Sequence, residues 1–125
     1  MPLPTPEIPA GVLLQSLSID PEGHMAGYRI YADGRYESRP TGQPWQFQNS
    51  LNPAQLQQVQ EAIAKAGFEN LAPHYRPDKP IEDPGLLWFQ VVRGEKSYSI
   101  AIENGCRVPE IDALSADLVA LFKEK

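Results

Sequence analysis

The stretch from residue 86 to residue 102 reads LLWFQVVRGEKSYSIAI, and it decides the fold class. Residues 86–93 are mostly apolar, β-branched and aromatic, which favours a strand. Gly94-Glu95 has the composition of a tight turn, and residues 96–102 alternate apolar with small side chains. The stretch therefore predicts a β-hairpin with antiparallel strands.

A second group of strands is predicted upstream of this hairpin. It covers residues 12–19, 25–31 and 35–39. The segment 20–23, DPEG, is typical of a turn, and Asp33-Gly34 is a hairpin signal. The three strands are therefore expected to pair in sequence order, each antiparallel to the next.

Two amphipathic helices are predicted, one after each group of strands. The first has Asn52 as its N-cap and Pro53 at its first position, and it ends at Gly67. The second begins at Pro109. Apolar side chains recur at helical spacing at Leu56, Val59 and Ile63 in the first helix and at Ile111, Leu114, Leu118, Leu121 and Phe122 in the second.

The element order β-β-β-α-β-β-α predicts an α+β fold. We expect an antiparallel sheet of four to five strands with both helices on one face, because each helix has one apolar stripe to bury. Residues 1–10 are predicted to be a proline-rich N-terminal arm, and residues 11–125 a single domain. The segments 40–51 and 73–85 are expected to be irregular.

Composition narrows the classes of function. The chain has 125 residues and a net charge of −5, which disfavours nucleic-acid binding through the phosphate backbone. Its single cysteine excludes an intramolecular disulfide and is typical of a reducing compartment. The sequence has no signal peptide and no apolar run long enough to span a membrane, so a cytoplasmic location without membrane insertion is expected.

Catalytic and cofactor motifs are absent from the sequence, so we expect no enzyme, no cofactor and no metal site. One alternative is a small enzyme or ligand-binding protein that uses Cys106, if a neighbouring positive charge activates its thiol. A related alternative uses the loop 73–85, which contains the carboxylates Asp78, Glu82 and Asp83. Solvated surface residues are the simpler interpretation of the loop carboxylates and of the two histidines.

One face of the predicted sheet is the stronger candidate for function. If Tyr28 and Ile30 face the helices, Arg29, Tyr31 and Trp88 lie on the opposite face. Arginine and aromatic residues on rigid strands are typical of protein interfaces. Together with His74, Tyr75 and Arg76 of the loop, they form the predicted partner-binding set. The alternative is that the arm or residues 40–51, through Trp45 and Phe47, cover this face.

The second half of the chain also resembles a known family. A helix leads into Gly67-Phe68-Glu69-Asn70-Leu71, a Pro/Asp loop and a hairpin follow, and Val108-Pro109 precedes a leucine-rich helix. In these features, residues 53–122 are similar to small protealysin-inhibitor (emfourin) domains and related uncharacterised bacterial domains. The resemblance implies a binding domain without catalytic machinery, and it adds inhibition of a thermolysin-like metallopeptidase as an alternative function.

The sequence therefore predicts a non-enzymatic protein-interaction domain, an accessory or peripheral subunit of a larger assembly.

Overall fold

The computed structural model describes residues 6–20, 22, 24–75, 85–103 and 106–123, and these form an α+β fold. The helices are α1 (Pro53–Ala66) and α2 (Pro109–Lys123), with a short 3-10 helix at Phe68–Asn70. The strands are β1 (Val12–Ile19), β2 (Met25–Tyr31), β3 (Arg35–Arg39), β4 (Gln46–Ser50), β5 (His74–Tyr75), β6 (Leu86–Arg93) and β7 (Lys96–Glu103). The five predicted strands and two predicted helices are confirmed; only β7 extends one residue further.

The sheet is larger than the sequence predicted. It has seven strands in the order β4-β3-β2-β1-β6-β7-β5, and β5 pairs parallel to β7. The prediction of four to five antiparallel strands is therefore corrected to a seven-stranded mixed sheet. The additional strands lie inside the two segments predicted to be irregular. β4 has the amide-rich sequence QFQNS, and β5 has only two residues, so neither gives a periodic apolar signal.

Tight contact at one turn explains how β4 joins the sheet. Gly34 has φ +97°, and its carbonyl oxygen accepts the N–H of Leu51 at 2.7 Å. A Cβ at Gly34 would lie 2.5 Å from the carbonyl oxygen of Leu51. The turn between β2 and β3 therefore has room for the end of β4 only because residue 34 is glycine.

Local signals fix the ends of α1. The Asn52 side chain accepts the N–H of Gln55 at 2.8 Å, and the Gln55 side chain accepts the N–H of Asn52 at 2.9 Å. This capping box satisfies two helix-end donors that otherwise lack partners. Gly67 ends the helix with φ +67°, in the left-handed conformation that the sequence predicted for it.

Both helices bury their apolar stripes against one face of the sheet. The main core joins helix residues such as Val59, Ile63, Leu114 and Leu118 to strand residues such as Phe89. Tyr28 and Ile30 lie on this side, as predicted, and Tyr28 and Tyr36 contact edge to face with ring centroids 6.4 Å apart. The opposite face of the sheet is consequently left to other parts of the chain.

Candidate functional site

The sheet face opposite the helices is built from a polar row and an apolar row. The polar row crosses neighbouring strands, because register pairs Gln15 of β1 with Arg29 of β2 and with Gln90 of β6, and Gln90 with Ser99 of β7. The next row pairs Leu17 with Trp88, and Trp88 with Ala101. All three residues of the apolar row are buried and form a small second core.

Two glutamines at the centre of the polar row are fully buried, with 0% exposure each. Gln15 Nε2 donates to Gln90 Oε1 at 2.8 Å, and Gln90 Nε2 donates to Ser99 Oγ at 3.1 Å. Gln15 Oε1 accepts from Arg29 Nε. Buried amides are costly unless they are hydrogen-bonded, so this row is a connected polar network.

Residues 6 and 7 of the N-terminal arm lie on this network. Gln90 Nε2 donates to the carbonyl oxygen of Pro6 at 2.7 Å, and Gln15 Nε2 donates to that of Glu7 at 3.1 Å. The arm then turns into β1, where the Val12 N–H donates to the Pro9 carbonyl at 3.2 Å. Of the two alternatives for this face, the structure has the chain's own segments lying over it.

The connection between β3 and β4 covers the β2 side of the same face. The guanidinium carbon of Arg29 lies 3.8 Å from the ring centroid of Trp45, which also packs against the second core. Nearby, Tyr31 donates its hydroxyl to Glu37 Oε1 at 3.1 Å, and the guanidinium of Arg35 lies over the Tyr31 ring at 4.0 Å. Both arginines therefore stack on aromatic rings, Arg29 half-buried and Arg35 exposed.

The structure brings several predicted site residues onto this one face. Arg29 is half-buried, Tyr31 is 9% exposed and Trp88 is 4% exposed, so the last two offer little area to a partner in this conformation. His74 pairs with Ala101, which itself pairs with Trp88, so His74 lies at the end of the apolar row. Arg76 lies outside the described residues.

The edge at β5 holds a contact between His74 and Glu103 that the sequence did not predict. His74 Nε2 lies 2.6 Å from Glu103 Oε2, and Glu103 is buried. Tyr75 is half-buried, and its hydroxyl accepts the N–H of Ala72 at 2.9 Å. The His74–Glu103 contact joins the short strand β5 to β7, and the Tyr75 hydroxyl joins β5 to the preceding loop, so both residues have local structural partners.

Sequence reasoning missed the two buried glutamines. Each interrupts an apolar strand, Gln15 in VLLQSLSI and Gln90 in LLWFQVVR. An amide at the centre of an apolar strand needs buried partners, and this was the available signal. What the sequence could not supply was the identity of the partners, because the register of β1 on β6 joins residues 75 positions apart.

Cys106, the one described residue of those considered for catalysis, is separated from this face. Cys106 is half-buried and packs against the main core on the helix side. The carboxylates Asp78, Glu82 and Asp83 lie outside the described residues. The enzyme alternative therefore stays a prediction.

The turn between β1 and β2 gathers three exposed groups that could hold a metal ion. The ligand atoms of Asp20, Glu22 and His24 all lie within 4.8 Å of one another. Asp20 Oδ1 already accepts the backbone N–H groups of Glu22 and His24, at 3.0 Å and 2.8 Å. The hydrogen bond from the His24 N–H lowers the pKa of the Asp20 carboxyl. A hydrogen-bonded turn accounts for this arrangement without an ion.

The outer edge of β4 is the other candidate surface. All five of its residues are exposed, and Phe47 is 60% exposed, an unusual fraction for a large apolar side chain in a strand. The whole segment from residue 40 to residue 60 contains no charged residue. The loop before it is braced, because Arg39 Nε donates to the carbonyl of Gln43 at 2.8 Å and Gln46 Nε2 donates to Gln43 Oε1 at 3.0 Å.

No protein-family model matches the chain, and no curated protein matches it. The resemblance of residues 53–122 to protealysin inhibitors therefore stays a prediction, as does the cytoplasmic location. Among the described residues, no helix has the length and apolar character needed to cross a membrane.

Proposed function

We propose that this protein is a non-enzymatic protein-interaction domain, an accessory subunit of a larger assembly, which binds its partner along the outer edge of β4. The observation that carries the proposal is that β4 is an outer strand, exposed at every position and free of charge. The partner on this proposal contributes an extended strand that continues the sheet.

The chemistry of an outer strand supports this mode of binding. β4 pairs with β3 on one side, and its other side presents backbone N–H and C=O groups to an incoming strand. Proteins usually protect such edges with charged side chains, lysine above all, or with proline. β4 has the sequence QFQNS, which contains none of these. Its one irregularity is a bulge in the pairing with β3 between Tyr36 and Glu37.

Phe47 supplies an anchor beside this edge. It pairs with Glu37, and alternation along β3 sets Glu37 on the face opposite the helices. A partner strand that covers the Phe47 ring removes apolar area from water, and exposed aromatic rings on rigid elements are frequent binding hot spots. Backbone pairing would then provide register, and the ring would provide affinity.

The proposal is tested by site-specific photo-crosslinking in the native host. A photoreactive amino acid replaces Gln48 in the full chain, and a matched chain carries it at Gln57 on the exposed face of α1. We expect a discrete crosslinked species from position 48 and none from position 57. Introducing Gln46→Lys and Phe47→Glu in the chain labelled at 48 should remove this species. A crosslink that is equally strong from both positions, or insensitive to the two charges, contradicts the proposal.

A further inference from the structure

A cleft of about 540 Å³ opens on the helix side of the sheet, where β1 begins and β6 turns into β7. Its volume lies in the range of small-molecule sites, about 300–1,000 Å³. Residues of β1, α1 and the β6–β7 hairpin form its wall: Leu13, Gln60, Ile63, Val92, Arg93 and Tyr98. None of them belongs to β4, so the cleft is separate from the edge proposed above for a partner strand.

A bulge in β1 adds an apolar residue to this wall. The pairing of β1 with β2 is irregular between Val12 and Leu14, and Leu14 lies in the main core on the helix side. Strict alternation would set Leu13 on the opposite face of the sheet. Leu13 nevertheless lines the cleft together with Ile63 of α1. Bulges often redirect a side chain beside a binding site, and this one enlarges the apolar part of the cleft.

The cleft combines an apolar surface with a single positive charge. Ile63 is buried at its base, and Leu13, Val92 and Tyr98 are half-buried around it. Among the described residues that line the cleft, Arg93 alone is charged. The chain as a whole has a net charge of −5, so a cleft whose own charge is positive differs from the average surface. An anionic group with an apolar body is the ligand chemistry that matches both parts.

Arg93 has a weak partner at the rim of the cleft. Its Nη1 lies 3.3 Å from Glu69 Oε2, and the two side chains are 41% and 48% exposed. Exposed ion pairs contribute little because water screens them and both side chains lose freedom. A carboxylate that accepts two N–H groups of one guanidinium makes a stronger contact than a single nitrogen–oxygen pair. A ligand carboxylate can therefore take the place of Glu69.

We propose that this cleft binds a small organic carboxylate with an apolar body. The carboxylate pairs with Arg93, and the body packs on Leu13, Ile63 and Val92. Glu69 acts as an intramolecular competitor for the same guanidinium. A bare inorganic anion would leave the three aliphatic side chains without a contact, and a neutral apolar molecule would leave Arg93 unused.

The site is tested by nuclear magnetic resonance on the methyl-labelled full chain, with octanoate as the probe. We expect saturable shifts of the Leu13, Ile63 and Val92 methyl groups, with half-saturation on the order of 1 mM for a ligand of this size. Two control ligands separate the two parts of the site. Acetate lacks the apolar body and 1-octanol lacks the charge, and each should bind at least five-fold more weakly than octanoate.

Two substitutions at the rim should act in opposite directions. Arg93→Met removes the positive charge and should weaken octanoate binding at least five-fold. Glu69→Gln removes the competing carboxylate and should tighten it two- to five-fold, the range expected for release of an exposed ion pair. The matched controls are Arg107→Met and Asp112→Asn, which alter another exposed ion pair that does not line the cleft, and they should leave half-saturation unchanged.

A third substitution tests the cleft by its volume. Gln60→Trp places a large ring on the exposed wall of α1 and should weaken octanoate binding at least five-fold. Gln57→Trp places the same ring on the exposed surface of the same helix outside the cleft, and it should have no effect. Both positions are exposed, so the substitutions test the cleft without altering the core.

Three results would overturn the proposal. One is the absence of saturable shifts at the three methyl-bearing residues with octanoate up to about 20 mM, well above the expected half-saturation. The second is equal binding of octanoate and 1-octanol, because the positive charge would then play no part. The third is unchanged octanoate binding in both Arg93→Met and Glu69→Gln. None of these results bears on the β4 edge, which is tested separately by crosslinking.

Discussion

The guanidinium of Arg29 stacks on the ring of Trp45 at 3.8 Å, and the same Arg29 donates its Nε–H to buried Gln15. One side chain of β2 therefore joins the connection before β4 to the glutamine pair beneath the arm. The connection before β4 and the row of buried glutamines therefore share this arginine as a structural neighbour.

Removing the Trp45 ring should loosen this junction. We expect Trp45→Ala to lower the free energy of unfolding by about 1–2 kcal/mol, because a cation–π contact and apolar packing on the second core are both lost. Trp45→Phe keeps a ring and should cost less than half as much. Urea unfolding measures both. A double-mutant cycle with Arg29→Met should show a coupling energy above about 0.5 kcal/mol, and strictly additive effects would refute the contact.

Breaking the glutamine pair should be more costly. Gln90→Met keeps the side-chain volume but leaves Gln15 without the acceptor Oε1 and Ser99 without its donor. We expect a loss of about 2–3 kcal/mol, the usual cost of unsatisfied buried polar groups. Replacing both glutamines by methionine should cost less than the sum of the two single changes. Denaturant melts of the three variants give the answer, and a double variant as costly as that sum would argue against a shared network.

The capping box of α1 makes a smaller and cleaner prediction. Asn52→Ala removes the acceptor for the Gln55 N–H and should lower the free energy of unfolding by about 1 kcal/mol. Asn52→Ser should retain most of the stability, since serine also caps helices. The matched control is Gln57→Ala on the exposed face of the same helix, which should change stability by less than about 0.5 kcal/mol.

Substitutions at Gly34 and Gly42 distinguish the cost of a left-handed backbone from the cost of a steric clash. Gly34→Ala forces a Cβ to within 2.5 Å of the Leu51 carbonyl and adds a side chain at φ +97°, so it should destabilise the fold and expose β4 amides to hydrogen exchange. Gly42→Ala imposes a similar left-handed φ of +74° with no atom within 4 Å. The control should therefore cost about 1 kcal/mol, and Gly34→Ala clearly more. If both substitutions lowered the free energy of unfolding equally, the Leu51 backbone would have moved away from the new Cβ without disturbing β4.

Alkaline pH should unfold the chain partly through Tyr28. Burial raises the pKa of the Tyr28 hydroxyl above its ordinary value of 10.0, because the phenolate would be poorly solvated beside the core. A raised folded-state pKa contributes stability that is fully present below pH 10 and is lost as pH rises toward the folded-state pKa. Stability measured from pH 9 upward should fall less steeply for Tyr28→Phe than for the unaltered chain. If stability fell with pH at the same rate in both chains, Tyr28 would not be a source of the alkaline unfolding.

The sequence predicted those parts of the fold that local signals encode. Pro53, Gly67 and the alternation in residues 25–31 gave helix ends and strand faces because capping and periodicity depend only on near neighbours. β4 was not predicted, because its position depends on the contact of Gly34 with Leu51, and a periodic sequence pattern does not indicate such a contact. The position of Trp88 on the second face followed from alternation, but the arm over its neighbours depends on tertiary hydrogen bonds.

The two ends of the sheet differ in a way that limits growth. β4 offers five residues of backbone to a newcomer, whereas β5 at the far end has two. A two-residue template gives too few hydrogen bonds to offset the entropy of ordering another strand. Among the described residues, β4 is therefore the longer template for an added strand, and growth of the sheet through β5 alone is disfavoured.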